Sequence, residues 1–152
     1  MKMLSLLFLV LGLALPTLAQ TDKTPVNLDK QGLALQGYDP VAFFTDQKPV
    51  KGTADLQSAY HGGTYWFASA EHKASFDANP QKYEPAFGGY CAYGVSKGHL
   101  APVDVNAFQI VDGRLLMQHG DGARKGFNED QKGNLAKADA TWPKLVEKSG
   151  KQ

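Results

Sequence analysis

The residues best suited to chemistry in this chain are a single cysteine and four histidines. Cys91 sits in the stretch Gly88-Gly89-Tyr90-Cys91-Ala92-Tyr93-Gly94, flanked by aromatic residues and preceded by paired glycines. A lone thiol closes no intrachain disulfide, so outside the cytoplasm it must be buried, metal-bound or reactive. At the first turn of a helix the positive end of the dipole favours thiolate, the form that binds soft metals and attacks electrophiles. Gly88 and Gly89 would let a ligand or another backbone approach closely. The competing reading is an inert thiol packed among Phe87, Tyr90 and Tyr93, because unpaired cysteine is among the most buried residue types.

His61, His72, His99 and His119 supply the imidazoles, and Met117 is the one thioether outside the first three residues. Thiolate, thioether and imidazole ligands together suit copper(I) or zinc. None of these groups is spaced as in Cys-x-x-Cys or His-x-x-x-His, so a metal centre has to be assembled from distant segments. His61 stands at a hairpin turn, either solvated or aimed at a neighbouring loop. Met117 and His119 fall on one face of a strand, where they could ligate copper together or Met117 could simply fill the core. No nucleophile elbow, glycine-rich phosphate loop or His-Glu-x-x-His helix is expected. A Cys91–His base pair stays open, because such partners need only be adjacent in space. Glu71, Glu84, Glu129 and Glu147 read as solvated helix-face charges.

The N-terminus addresses the compartment. Met1-Lys2 is followed by an almost unbroken apolar run from Leu4 to Leu15 and then by Pro16-Thr17-Leu18-Ala19. This is the pattern of a secretory signal, residues 1–19, cut after Ala19. The apolar run is short of the roughly 20 residues a membrane-spanning helix needs. The mature chain is therefore expected to be periplasmic or secreted, with no membrane span. Loss of Lys2 leaves 15 of the 16 basic residues against 15 acidic ones, a balance that argues against nucleic acid or an anionic membrane as partner. Removing 19 of 152 residues leaves 133, enough for one domain with one core. Residues 20–36 read as a polar leader, a flexible tether or loosely docked arm.

The elements that must position these groups follow from turn and cap signals. Asp39 caps a short helix over Val41–Phe44 with Pro40 at its start. Strands over 55–60 and 64–68 are expected to turn at Gly62-Gly63. Ser69 caps a helix over 70–78 that Asn79-Pro80 stops, with a further turn at 81–83. Another helix begins within Gly88–Ser96, and Val103–Ala107 is a turn. A second hairpin pairs 108–111 with 115–118 across Asp112-Gly113. The last third is helical, with Leu135, Ala138, Trp142 and Leu145 in one apolar stripe that Pro143 kinks or restarts. The side chains of Tyr38, Phe43, Tyr65, Phe67, Phe76, Tyr83 and Trp142 are expected to supply most of the core. Two hairpins with several short helices make a small, single-domain α+β fold.

Several of these segments, in this order, resemble the YHS domain family. The resemblance is carried by Gly37-Tyr38-Asp39-Pro40-Val41-Ala42-Phe43-Phe44, then by Tyr60-His61-Gly62-Gly63-Thr64-Tyr65-Trp66-Phe67-Ala68-Ser69. Phe76-Asp77-Ala78-Asn79-Pro80-Gln81-Lys82-Tyr83 and Gly88-Gly89-Tyr90-Cys91-Ala92 continue it. Val111-Asp112-Gly113-Arg114-Leu115 and Ala138-Asp139-Ala140-Thr141-Trp142-Pro143 look like the tail of its exported bacterial members. A YHS-like domain over 37–148 is implied. The family implies a small α+β module and names no catalytic residue. Its metal-associated members carry cysteines where this chain has Ala68 and His72, so a thiol pair after the hairpin is missing. The expectation is a non-enzymatic, exported binding module for a soft metal ion of the copper type or a small ligand, with His61, Cys91 and His72 as metal residues. An exported protein partner is open, and the alternatives are a thiol-dependent enzyme or redox protein using Cys91, or a ligand-free interaction module.

Overall fold

The computed structural model describes residues 24–150, so the signal segment 1–19 lies outside the described residues. Two antiparallel hairpins form the sheet component: β1 (Thr53–Tyr60) with β2 (Gly63–Phe67), and β3 (Asp104–Val111) with β4 (Arg114–Gln118). Six helices accompany them: α1 (Ala42–Thr45), α2 (Ala70–Ala78), α3 (Pro80–Tyr83), α4 (Ala92–Ser96), α5 (Asp121–Glu129) and α6 (Gln131–Ser149). The fold is α+β, as the turn and cap signals imply. Among the described residues no helix is long and apolar enough to cross a membrane.

Both hairpins turn on two residues with positive φ. His61 and Gly62 have φ of 48° and 83°, and Asp112 and Gly113 have 50° and 73°, the backbone signature of the turns that match strand twist. The first turn is therefore His61-Gly62 and not Gly62-Gly63, since Gly63 already pairs with Tyr60. Gly63 has a separate reason to lack a side chain: a Cβ there would sit 3.2 Å from Val26 and 3.3 Å from Ala34. The expected turn at Val103–Ala107 is mostly strand, and its irregularity survives as a register shift between Asp104 and Phe108.

Two hydrophobic clusters share β4. Leu115 and Met117 join Phe43, Tyr65, Phe67 and Phe76 in one cluster, while Leu116 joins Phe87, Val95, Phe127, Leu135 and Ala138 in the other. Alternating side chains of a strand point to opposite faces, so a strand buried on both faces reads as the unbroken run Leu115-Leu116-Met117. Its free edge is covered by bridges to Pro85 and Cys91. Of the expected core residues, Phe43, Tyr65, Phe67 and Phe76 are buried; Tyr38, Tyr83 and Trp142 are half-buried at the cluster margins. The second cluster, fed by α4, α5 and α6, takes the load that the sequence reading gave to those margins.

Two further differences concern the chain ends. The leader from Thr24 onward is docked: Asn27 N donates to Gly88 O at 2.8 Å and Ala34 N to Thr64 O at 2.9 Å, and Leu33, Ala34 and Leu35 are buried. α6 runs through Pro143. A proline costs one helical hydrogen bond, and Leu135 and Ala138 on one side and Trp142 and Leu145 on the other anchor both halves to the same cluster.

Candidate functional site

His61, His72 and Cys91 occupy three different settings. The left-handed turn throws His61 against the Tyr60 ring, with centroids 3.9 Å apart, and sets its Nδ1 3.2 Å from Glu84 Oε2. Glu84 is thus not a solvated helix-face charge. α3 ends at Tyr83, and the following Pro85 is buried as a bridge partner of β4, so Glu84 is held between them facing the hairpin turn.

His72 belongs to a clamp around Asp39, which is fully buried. Asp39 Oδ1 accepts from Val41 N at 2.8 Å and Ala42 N at 3.3 Å, so it holds the turn that leads into α1, which begins one residue later than expected, with Val41 at its N-cap. Its Oδ2 accepts from Ala68 N at 2.8 Å and lies 2.7 Å from His72 Nδ1. The opposite ring nitrogen of His72 is 3.4 Å from Thr45 Oγ1. Ser69 places His72 by capping α2, accepting from His72 N at 3.1 Å. The carboxylate therefore ties α1, the end of β2 and the start of α2 together. Ala68 and His72 are both engaged by it.

Cys91 is the N-cap of α4 and is 2% exposed. Its Sγ accepts from Gly94 N at 3.4 Å and His119 N at 3.2 Å and donates to Gln118 Oε1 at 3.4 Å. Gln118, also buried, takes Tyr93 N on the same oxygen, and its Nε2 has no partner. A pocket of about 380 Å³ beside the thiol is lined by Cys91, Lys97, His99 and His119. His119 Nδ1 lies 2.9 Å from Pro102 O; a carbonyl only accepts, so this nitrogen carries the proton and neutral His119 has its lone pair on Nε2. Met117 is fully buried in the first cluster and is core filler.

Although no nucleophile elbow is expected, the chain does contain one Gly-x-Ser-x-Gly string, Gly94-Val95-Ser96-Lys97-Gly98. It is no elbow. Ser96 ends α4, is buried, and donates its hydroxyl to Tyr93 O at 2.7 Å, whereas an elbow exposes its serine on a strand-to-helix turn.

His61, His72 and Cys91 are thus not brought together, and as one centre for one ion they do not fit. Among the described residues no group of three or more His, Cys, Asp or Glu side chains is gathered as a metal ion requires. The imidazoles that share a pocket with the thiol are His99 and His119, neither of them in the expected metal set.

A second cavity, of about 370 Å³, opens where the two hairpin turns meet. His61, Glu84, Arg114 and Trp142 line it, with the exposed Lys82 and the buried Tyr65. Arg114 is fixed by a paired contact with Asp139, at 3.1 and 2.9 Å, and by the Phe87 ring 5.1 Å from its guanidinium. Phe87 itself meets Trp142 edge-on at 5.9 Å. Burial, then the charge of Glu84 and the neighbouring Tyr60, push the Tyr65 phenol well above its usual range, so it stays a neutral hydroxyl. Arg114 and Trp142 carried a weak signal in the sequence, the residue after an Asp-Gly turn and an aromatic on the helix stripe. Nothing local linked them to His61.

Residues 41–86 match a family model described as YHS domain. The chain matches no curated protein and no solved structure.

Proposed function

The chain carries a YHS domain over residues 41–86, and from that premise we propose that it is an exported, non-enzymatic binding module that takes a small ligand in the cavity beside His61. The cavity carries this reading. It combines apolar walls with a few fixed polar groups and has the size of small-molecule sites, roughly 300–1,000 Å³. His61 and Glu84 come from the YHS domain, whereas Arg114 and Trp142 come from the chain beyond it. The site therefore exists only in the complete fold, which gives the later hairpin and α6 a function in binding as well as in packing.

Native mass spectrometry of protein taken from the exported fraction tests this directly. The expected mass begins at Gln20, with a small molecule retained on the wild type and lost from Ala86→Trp, whose indole would fill the cavity that Ala86 lines. A chain still beginning at Met1 would sink export. A wild type as empty as the filled variant would sink the ligand.

The pocket at Cys91 favours a second reading, a soft-metal centre. YHS domains are often associated with copper-related proteins, and one thiol with imidazole donors suits copper(I). The ligands would be Cys91 and His119, which line the same pocket, in place of His61 and His72. Anaerobic copper(I) titration against a competing chelator is expected to show one equivalent bound, abolished in Cys91→Ser and weakened in His119→Ala. Equal copper affinity in Cys91→Ser would leave Cys91 a structural thiol, or one open to redox chemistry.

A further inference from the structure

We propose that the cavity beside His61 selects a small organic anion, holding a carboxylate-sized group with Arg114 and Lys82 and a flat apolar body against Trp142. The inference rests on the ligand reading given above and adds its chemical class.

The charged groups around the cavity differ in how they are held. Lys82, Arg114, Glu84 and His61 are the ionisable side chains of opposite sign that line it. Glu84, the one carboxylate of the lining, is turned toward His61 Nδ1. Arg114 is matched from outside, by Asp139, which does not line the cavity. That pairing uses two of the five N–H donors of a guanidinium, leaving the others for a ligand on a side chain already locked by Asp139 and Phe87. Locking lowers the entropy lost on binding, and a guanidinium matches a carboxylate in a planar, two-point geometry. Lys82 makes no ion pair among the described residues; its Nζ lies 5.0 Å over the Tyr83 ring, close enough to swing toward an anion. One cation held with donors to spare and one cation without an ion pair give an anion two partners, while the Glu84 carboxylate is turned to His61.

The remaining walls set the rest of the ligand. Trp142 is half-buried and contributes its ring to the cavity. Gly88 brings backbone up to that ring: a Cβ on Gly88 would lie 3.3 Å from the Trp142 ring edge and would collide with the Pro25 carbonyl. The backbone thus closes on the ring edge, and the indole is left as a flat apolar wall for the body of the ligand. Tyr65, held as a neutral hydroxyl by burial, adds a donor or acceptor at depth without changing the charge balance.

Benzoate and its neutral isostere benzamide separate the two claims, using the mature full-length chain and the Trp142 indole N–H resonance, with Trp66 as internal reference. Benzoate is expected to shift the Trp142 signal with at least ten-fold higher affinity than benzamide. Arg114→Gln and the exposed Lys82→Gln should each weaken benzoate several-fold and leave benzamide unchanged. Because Lys82 is exposed and its Nζ only overlies the Tyr83 ring, its variant keeps the test valid even if Arg114→Gln loosens the fold. Benzamide binding as tightly as benzoate at Trp142 overturns the anion class while the ligand cavity stands. Benzoate unaffected by both variants also overturns it. If neither compound moves Trp142, the cavity reading falls with it.

Discussion

Asp39→Ala is expected to destabilise the protein by about 3–5 kcal/mol, the range for removing one partner of a buried ionic network. The carboxylate accepts from three backbone N–H groups and contacts His72, and none of it is exposed. Alanine leaves those donors without acceptors, and each unsatisfied buried group costs about 1–3 kcal/mol. The effect is also not local, because the donors belong to α1, β2 and α2. Urea unfolding near neutral pH reads it. His72→Ala is expected to cost less than half as much, since it removes one contact and leaves the three backbone donors satisfied. Asp39→Asn should fall between, because one amide oxygen still holds the turn into α1 while the NH2 group opposes Ala68 N–H. A loss below 1 kcal/mol in Asp39→Ala would mean that the three elements are held together by packing alone.

This clamp shows what could and could not be seen in the chain. Asp39-Pro40 announces a helix start, and that half of the carboxylate's work was legible from residue types at adjacent positions. The other half joins Asp39 to His72, 33 positions away, and no local pattern encodes it. The same division runs through the site. The turn that exposes His61 follows from a short glycine-containing loop, although the reading placed it one residue late: Gly62-Gly63 looked like one device and is two, a turn residue and a close approach to the docked leader. Leu33-Ala34-Leu35 was the available sign that this leader packs, but the polar residues around it weighed more. Cys91 at the start of a helix was legible. Its pocket imidazoles were not, because the end of β4 delivers His119 and the loop after α4 delivers His99, and tertiary contacts such as the Cys91–Met117 bridge and Cys91 N to Ala101 O bring those segments together.

Phe76→Ala should cost about 3–5 kcal/mol, as for other large-to-small changes at buried aromatic sites, and lower the melting temperature by roughly 10–20 °C for a domain of this size. Phe76 is 1% exposed and meets three rings, Tyr65 at 5.0 Å, Phe67 at 5.2 Å and Tyr60 at 5.9 Å. Its loss opens a void between α2 and the first hairpin that the rigid, mutually packed rings cannot close. Trp142→Ala should cost less, since Trp142 is half-buried and rests on one ring, Phe87. Thermal unfolding of both variants orders the two sites, and equal losses would show that the second cluster depends on Trp142 as heavily as the first does on Phe76. The consequence of Phe76→Ala reaches the cavity as well. Tyr60 stacks on His61 and Tyr65 lines the cavity, so both rest on the ring that is removed. Well below the lowered melting temperature, Phe76→Leu, which fills most of the void, should therefore bind a cavity probe more tightly than Phe76→Ala does. Identical binding by the two would separate the aromatic cluster from the site it adjoins.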